Sequence, residues 1–265
     1  MNEPDPNASV LEVRTYFVRG RNALVARAQF EPLYIDYYLH CSDHGLNYAP
    51  EHDQMLKDAL ACMTLHLASR PLDENCGWTM NFQEPRLNLF VTGKSRPGSV
   101  AGRVFTEDVR DFGKSLFIAQ TSRPDHAPLQ SMTEIAGSDI FRTVEEYYLQ
   151  SEQRLTRLLR LDEEDIVLIS AQPDCDEAWL QEITDDDVRV LDQTEQLRLL
   201  EQRQYIFHCG CSVERLYPML AKLSQEDLDD VFAGDDFVTL TCPRCGARYE
   251  TPREEFMQWR SDHQP

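Results

Sequence analysis

The chain has 265 residues, 42% of them hydrophobic, with a formal net charge of -20 and eight cysteines. That is enough apolar material for one substantial core and a small second unit, while the charge and the lack of a basic run weigh against a nucleic-acid partner and no apolar run is long enough for a membrane helix. The opening MNEPDPNASV lacks the basic and apolar regions of a secretory leader, so the expected compartment is the cytoplasm, where clustered thiols serve metal or redox chemistry rather than a disulfide scaffold.

In chain order, EVRTYFVRGRNALVARAQF reads as a strand pair about the break Arg19-Gly20-Arg21-Asn22. Pro32 and Gly45 bracket a helix in EPLYIDYYLHCSDHG. In HDQMLKDALACMTLHLAS, Met55, Leu56, Ala59, Leu60, Met63 and Leu67 share one stripe at helical spacing. This is a core helix, in which Cys62 and His66 pack rather than hold a cofactor. GWTMNFQ, LNLFVTG, SVAGRVF and SLFIAQT add strands, and SDIFRTVEEYYLQSEQRLTRLL returns to a helical period with Ile140, Val144, Tyr147 and Tyr148 on one side. Strands followed by helices predict an α+β class, with an N-terminal mixed α/β-sheet domain over residues 1–178. Acidic residues concentrate between Leu161 and Glu195; they read as a solvated, solubilising stretch or, more sharply, as an extended, weakly folded connector at 179–204. Within it, TEQLRLLEQRQ is a short amphipathic helix candidate leading to Cys209.

Residues 205–265 form a cysteine module. Cys209 and Cys211 make a CxC, and Cys242 and Cys245 a CxxC about thirty residues later. Ser212 and Ser224 are expected helix N-caps, FVTLT and RYE two strands about the turn CPRCG, and Thr251 an N-cap with Pro252 at the first helical position. A unit of this size cannot rest on its core alone and needs a staple. Four thiolates suit the tetrahedral preference of zinc, so the expected site is one zinc ion per chain on Cys209, Cys211, Cys242 and Cys245 in the reduced state. His208 and His263 are alternative ligands, read as surface residues because four sulfurs complete the shell. Each pair can also close on itself, Cys209 with Cys211 through a strained ring and Cys242 with Cys245, and strained disulfides are the labile kind. Cys41, Cys62, Cys76 and Cys175 read as packed or surface thiols.

The order CxC, helix pair, CxxC, preceded by EEYYLQSEQ (Glu145 to Gln153), resembles the heat shock protein 33 family of redox-regulated holdase chaperones. The similarity extends more weakly to YFVRG, to the helix around residues 52–68 and to the strands after it. The resemblance implies an ATP-independent holdase, not an enzyme, that binds unfolded or aggregation-prone clients. Its four matching cysteines hold zinc when reduced; oxidation releases the metal, unfolds the module and connector, and exposes client-binding surface, with homodimerisation on activation left open. The large domain then carries that surface, and the connector with its LRLLEQ stripe covers it at rest. Three departures stand out. FQEPRLNLF replaces the family's Gly-Asp-Gly turn, Leu129-Gln130-Ser131 its Tyr-Gln-Gly motif, and the interval from Gln153 to Cys209 is shorter. A non-redox zinc-ribbon adaptor and a thiol-disulfide oxidoreductase using Cys242 and Cys245 are the competing readings, the latter disfavoured because Gly246 and a strand, not a helix, follow the CxxC.

Overall fold

The computed structural model of the chain describes residues 9–263, so the reading of the first eight residues as leader-free lies outside it. Strands β1 (Leu11–Arg19) and β2 (Ala23–Gln29) pair antiparallel about the expected break. Helices α1 (Glu31–Asp43) and α2 (Pro50–Ala68) follow, both with proline in the first turn, where a missing N–H costs nothing. Next come β3 (Asn75–Phe82), β4 (Leu87–Lys94), β5 (Ser99–Phe105), β6 (Leu116–Ser122), β7 (Leu129–Glu134), α3 (Ile140–Gln150), β8 (Thr156–Arg160) and β9 (Asp165–Ala171). Short helices α4 (Glu177–Glu182), α5 (Asp185–Arg189) and α6 (Leu191–Thr194) lead into the long strand β10 (Gln196–Phe207). The strands form one sheet in the order β7-β6-β3-β4-β5-β10-β1-β2-β9-β8. The mixed helix-and-sheet class expected from the sequence is the one observed.

The core lies between this sheet and α1–α3. The α2 stripe is buried, Leu56, Ala59, Leu60, Met63 and Leu67 among it, and the EEYYLQSEQ run ties the core together. Tyr148 is hydrogen-bonded to His66 Nδ1 at 2.6 Å, the Tyr147 hydroxyl donates to Glu152, and Glu145 accepts from the Leu158 amide. Burial holds the His66 imidazole well below its ordinary range, so it packs as a neutral ring against Trp78.

Several elements differ from expectation. The helix read across Ser138–Leu159 ends at Gln150, and Thr156–Arg160 is a strand. TEQLRLLEQRQ is not a helix: residues 196–207 pair with β1 from Arg19↔Gln196 to Leu11↔Tyr205, so a neighbouring strand in need of a partner overrides an ambiguous local pattern. Arg203 on this strand donates to the carbonyls of Leu67 and Arg70, capping the end of α2. The acidic stretch is folded, not extended. Its β9 is buried on every residue, because alternate side chains enter two different cores. Ile166 and Leu168 face α1–α3; Val167 and Ile169 face Leu180, Ile183, Val188 and Leu191 of the short helices on the opposite side.

The sheet has a seam. Five strands lie on each side of the β5–β10 boundary, and there the pairing is parallel and brief, Ile206↔Ser99 and Phe207↔Val100. Two further bonds, from the Ile206 amide to Gly98 and from the His208 amide to Val100, complete the join. Cys209 is the next residue.

The C-terminal module contains α7 (Val213–Leu220), α8 (Gln225–Phe232), the hairpin β11 (Phe237–Thr241) and β12 (Arg248–Pro252), and α9 (Arg253–His263). Its own core is small: Tyr217, Leu220, Leu228, Phe232 and Phe256. Ser224 forms the expected capping box with Asp227. Ser212 makes no capping bond, and Thr251 is no N-cap: its hydroxyl is buried without a partner, and Pro252 ends β12 instead of opening α9. No helix among the described residues is long and apolar enough to cross a membrane.

Candidate metal centre

The end of β10 delivers Cys209 and Cys211, and the turn between β11 and β12 delivers Cys242 and Cys245. Within that turn the Cys242 amide donates to Ala247 and the Gly246 amide to Cys242, a tight knuckle that places Gly246 at φ +79°, where a side chain would be strained. The four sulfurs all lie within 4.8 Å of one another. Cys209 Sγ is 3.7 Å from Cys242 Sγ and Cys211 Sγ 3.5 Å from Cys245 Sγ, so each CxC sulfur meets a CxxC sulfur. Sulfurs each about 2.3 Å from a tetrahedral zinc ion stand about 3.8 Å apart, so the donor set and its spacing fit that ion.

The four thiols also perturb one another through their hydrogen bonds. Cys211 is pulled down to about 7 and Cys242 further, in both cases chiefly by a hydrogen bond from Cys209. Cys209 is pushed up chiefly by its bond with Cys211, and Cys245 by its bond with Cys209. A bound cation favours all four thiolates together. The Tyr249 hydroxyl, 3.2 Å from both Cys211 Sγ and the Cys211 carbonyl, supports the exposed side.

Exposure is uneven. Cys242 and Cys245 are 1% and 0% exposed, while Cys209 and Cys211 are half-buried and line an open cleft of about 350 Å³ with His40, His44 and Tyr249. Solvent therefore reaches the CxC half. Of the alternative ligands, His208 lines the same cleft and His263 stacks on Trp259; neither belongs to the four-residue cluster. Cys41, Cys62 and Cys76 are buried, and Cys175 is half-buried. Burial pushes the Cys41 and Cys76 thiols up to about 11 and Cys62 well above its usual value, so these remain protonated and unreactive near neutral pH.

The sequence did not single out the residues on the other side of the knuckle. Arg103 Nη1 of β5 donates to the Cys242 carbonyl at 3.0 Å, and His40 Nε2 of α1 to the Cys245 carbonyl at 3.0 Å. His44 Nδ1 is 3.2 Å from both the amide and the carbonyl of Arg248. A histidine pair four apart at the end of α1, His40 and His44, was the available signal. Cys242, Cys245 and Ala247 consequently join the main core and not the module's small one.

A family model described as Hsp33 protein matches residues 163–252, a stretch that holds all four cysteines. The chain is 29% identical over 164 residues to the 33 kDa chaperonin of Aliivibrio salmonicida, covering 52% of this chain and 56% of that protein. It is 27% identical over 188 residues to the 33 kDa chaperonin of Vibrio cholerae, covering 61% and 64%. These matches show similarity to Hsp33 proteins over part of the chain, the part with all four cysteines included. The matched stretches span little more than half the length of the first of these relatives. A crystal structure of the 33 kDa chaperonin (heat shock protein 33 homologue) from Thermotoga maritima superimposes with a TM-score of 0.69 at 15% identity, over 97% of this chain and 99% of that one. The fold is therefore shared along nearly the whole chain, while sequence similarity is confined to part of it.

Proposed function

We propose that this chain belongs to the Hsp33 family and is a holdase chaperone, working without ATP in the cytoplasm, whose four-cysteine site senses oxidants. Cys209, Cys211, Cys242 and Cys245 would hold one zinc ion. When bound, the ion staples β10 to the β11–β12 knuckle, which the module's small core cannot do alone. Oxidation joins Cys209 to Cys211 and Cys242 to Cys245. Forming each disulfide takes two electrons from a cysteine pair, and these, together with two protons, reduce one hydrogen peroxide to two waters. Sulfurs so joined no longer serve as thiolate ligands, and the new loops are too small to bind one half of the site to the other. Parting of the halves leaves each cysteine only its sequence neighbour.

The observation that carries this reading is the membership of Cys242 and Cys245 in the main core. Loss of the staple uncovers Phe207 and Leu216 there, and Leu220, Phe232 and Phe256 in the module, all buried at rest. Apolar surface of that extent is unusual on a soluble monomer and suits the capture of unfolded chains. The connector contributes through two parts: α4–α6 cover one face of the β1–β2–β9–β8 half, and β10 forms the seam. A dithiol enzyme is disfavoured because the CxxC lies buried between two strands rather than exposed at a helix start.

Light scattering from a chemically denatured client tests the reading. Oxidised, zinc-free protein is expected to suppress aggregation at near-stoichiometric amounts, and reduced, zinc-loaded protein to leave it unchanged. Equal and negligible suppression by both forms would favour the zinc-ribbon adaptor.

A further inference from the structure

We propose that the corner between α1 and α2, together with Arg103, is a cradle that holds the CxxC knuckle in its ligating shape, so that the main body sets how long the metal stays. The inference rests on the zinc reading above and adds a regulator to it. Both ligand residues of the knuckle have their carbonyls bound by side chains of the main body, Cys242 by Arg103 and Cys245 by His40. Neither donor is free to wander. The Arg103 guanidinium stacks 4.1 Å above the Phe105 ring, and the His40 ring packs 5.2 Å from Phe207 and 4.8 Å from His44.

The middle of the knuckle is seated as well. A Cβ placed on Gly246 would lie 3.1 Å from Leu46 Cδ1, so the turn is pressed against the loop that follows α1. The CxC half packs on the same core through Cys209 and Cys211, and the Tyr249 hydroxyl of β12 donates to the Cys211 carbonyl. The knuckle half is held in addition by main-body side chains at the backbone of both its ligand residues. Orienting the backbone of two ligands in advance removes conformational freedom that binding would otherwise have to remove, and groups that orient ligands typically change metal affinity by about 10–100-fold.

The test follows zinc leaving the full-length, reduced, zinc-loaded protein in excess 4-(2-pyridylazo)resorcinol, with no oxidant and no client. Relative to wild type, His40→Ala and Arg103→Ala are expected to speed zinc loss about tenfold, and His40→Gln and Arg103→Lys, which keep a donor, to recover part of the difference. Near-UV circular dichroism from buried Trp78 reports whether the main body is intact. Leu46→Ala, at a half-buried loop position, weakens the seat without touching any hydrogen bond and should also speed release. Zinc loss within about twofold of wild type in all three alanine variants overturns the cradle while leaving the zinc reading standing. A wild-type chain that carries no zinc when purified under reducing conditions defeats both.

Discussion

Gly98→Ala is expected to open the seam between the two halves of the sheet without any oxidation. Gly98 lies where the β4–β5 turn meets β10, and its carbonyl accepts the Ile206 amide. A Cβ there would fall inside the Gln204 carbonyl, a backbone atom that no rotamer change can move. The strand must therefore shift, and with it the short parallel pairing at Ile206 and Phe207. Overpacking of this kind costs about 1–3 kcal/mol, more where backbone cannot yield, which for a chain of this size lowers the midpoint of thermal unfolding by roughly 5–10 °C. The amides of Ile206 and His208 should lose hydrogen-exchange protection, and the reduced variant should partly suppress client aggregation while keeping its zinc. Wild-type stability, or an opened seam with no effect on clients, would show that this boundary takes no part in exposure.

Cys242→Ser should have a still larger effect on the module. Serine fits the space of the buried thiol but is a poor zinc ligand, leaving three sulfurs where four are needed. Structural zinc contributes on the order of 10–16 kcal/mol to small modules, whereas entire domains are stable by only about 5–15 kcal/mol. A unit whose private core is Tyr217, Leu220, Leu228, Phe232 and Phe256 has little else to rely on. Zinc should fall to a trace, β11 and β12 should exchange freely, and the main body should keep its near-UV signal. The same variant should hold clients without peroxide, because the missing ligand has the effect proposed for oxidation. Full zinc retention would refute the ligand assignment; a melted module with no client holding would leave the metal as a staple only.

Which parts of this molecule could be read from its sequence follows from how local their causes are. The cysteine site was legible because spacing within each pair, Pro243 and Gly246 specify the knuckle with no help from elsewhere. So were the α2 stripe and the first hairpin, whose periodicity and turn residues are short-range signals. Strand β10 was not, because TEQLRLLEQRQ fits an amphipathic helix as well as a strand, and only the unpaired edge of β1 decides between them. Strand β9 was masked by acidic neighbours on both sides although its own residues, Ile166 to Ile169, form an apolar run that two cores bury. The cradle was hidden for a different reason. Arg103 and His40 lie in separate segments, each more than a hundred residues from the carbonyl it binds, and act through backbone atoms that leave no pattern in the partner's sequence.

The central claim is that oxidation of four thiols becomes exposure of buried apolar surface. Hydrogen exchange read by mass spectrometry, before and after peroxide treatment that forms both disulfides, addresses it most directly. Protection should collapse in β11, β12 and α7–α9 and at Ile206 to His208, while β3 and β4 at the centre of the other half keep theirs. Exchange unchanged throughout residues 205–263 after both disulfides have formed would contradict the account.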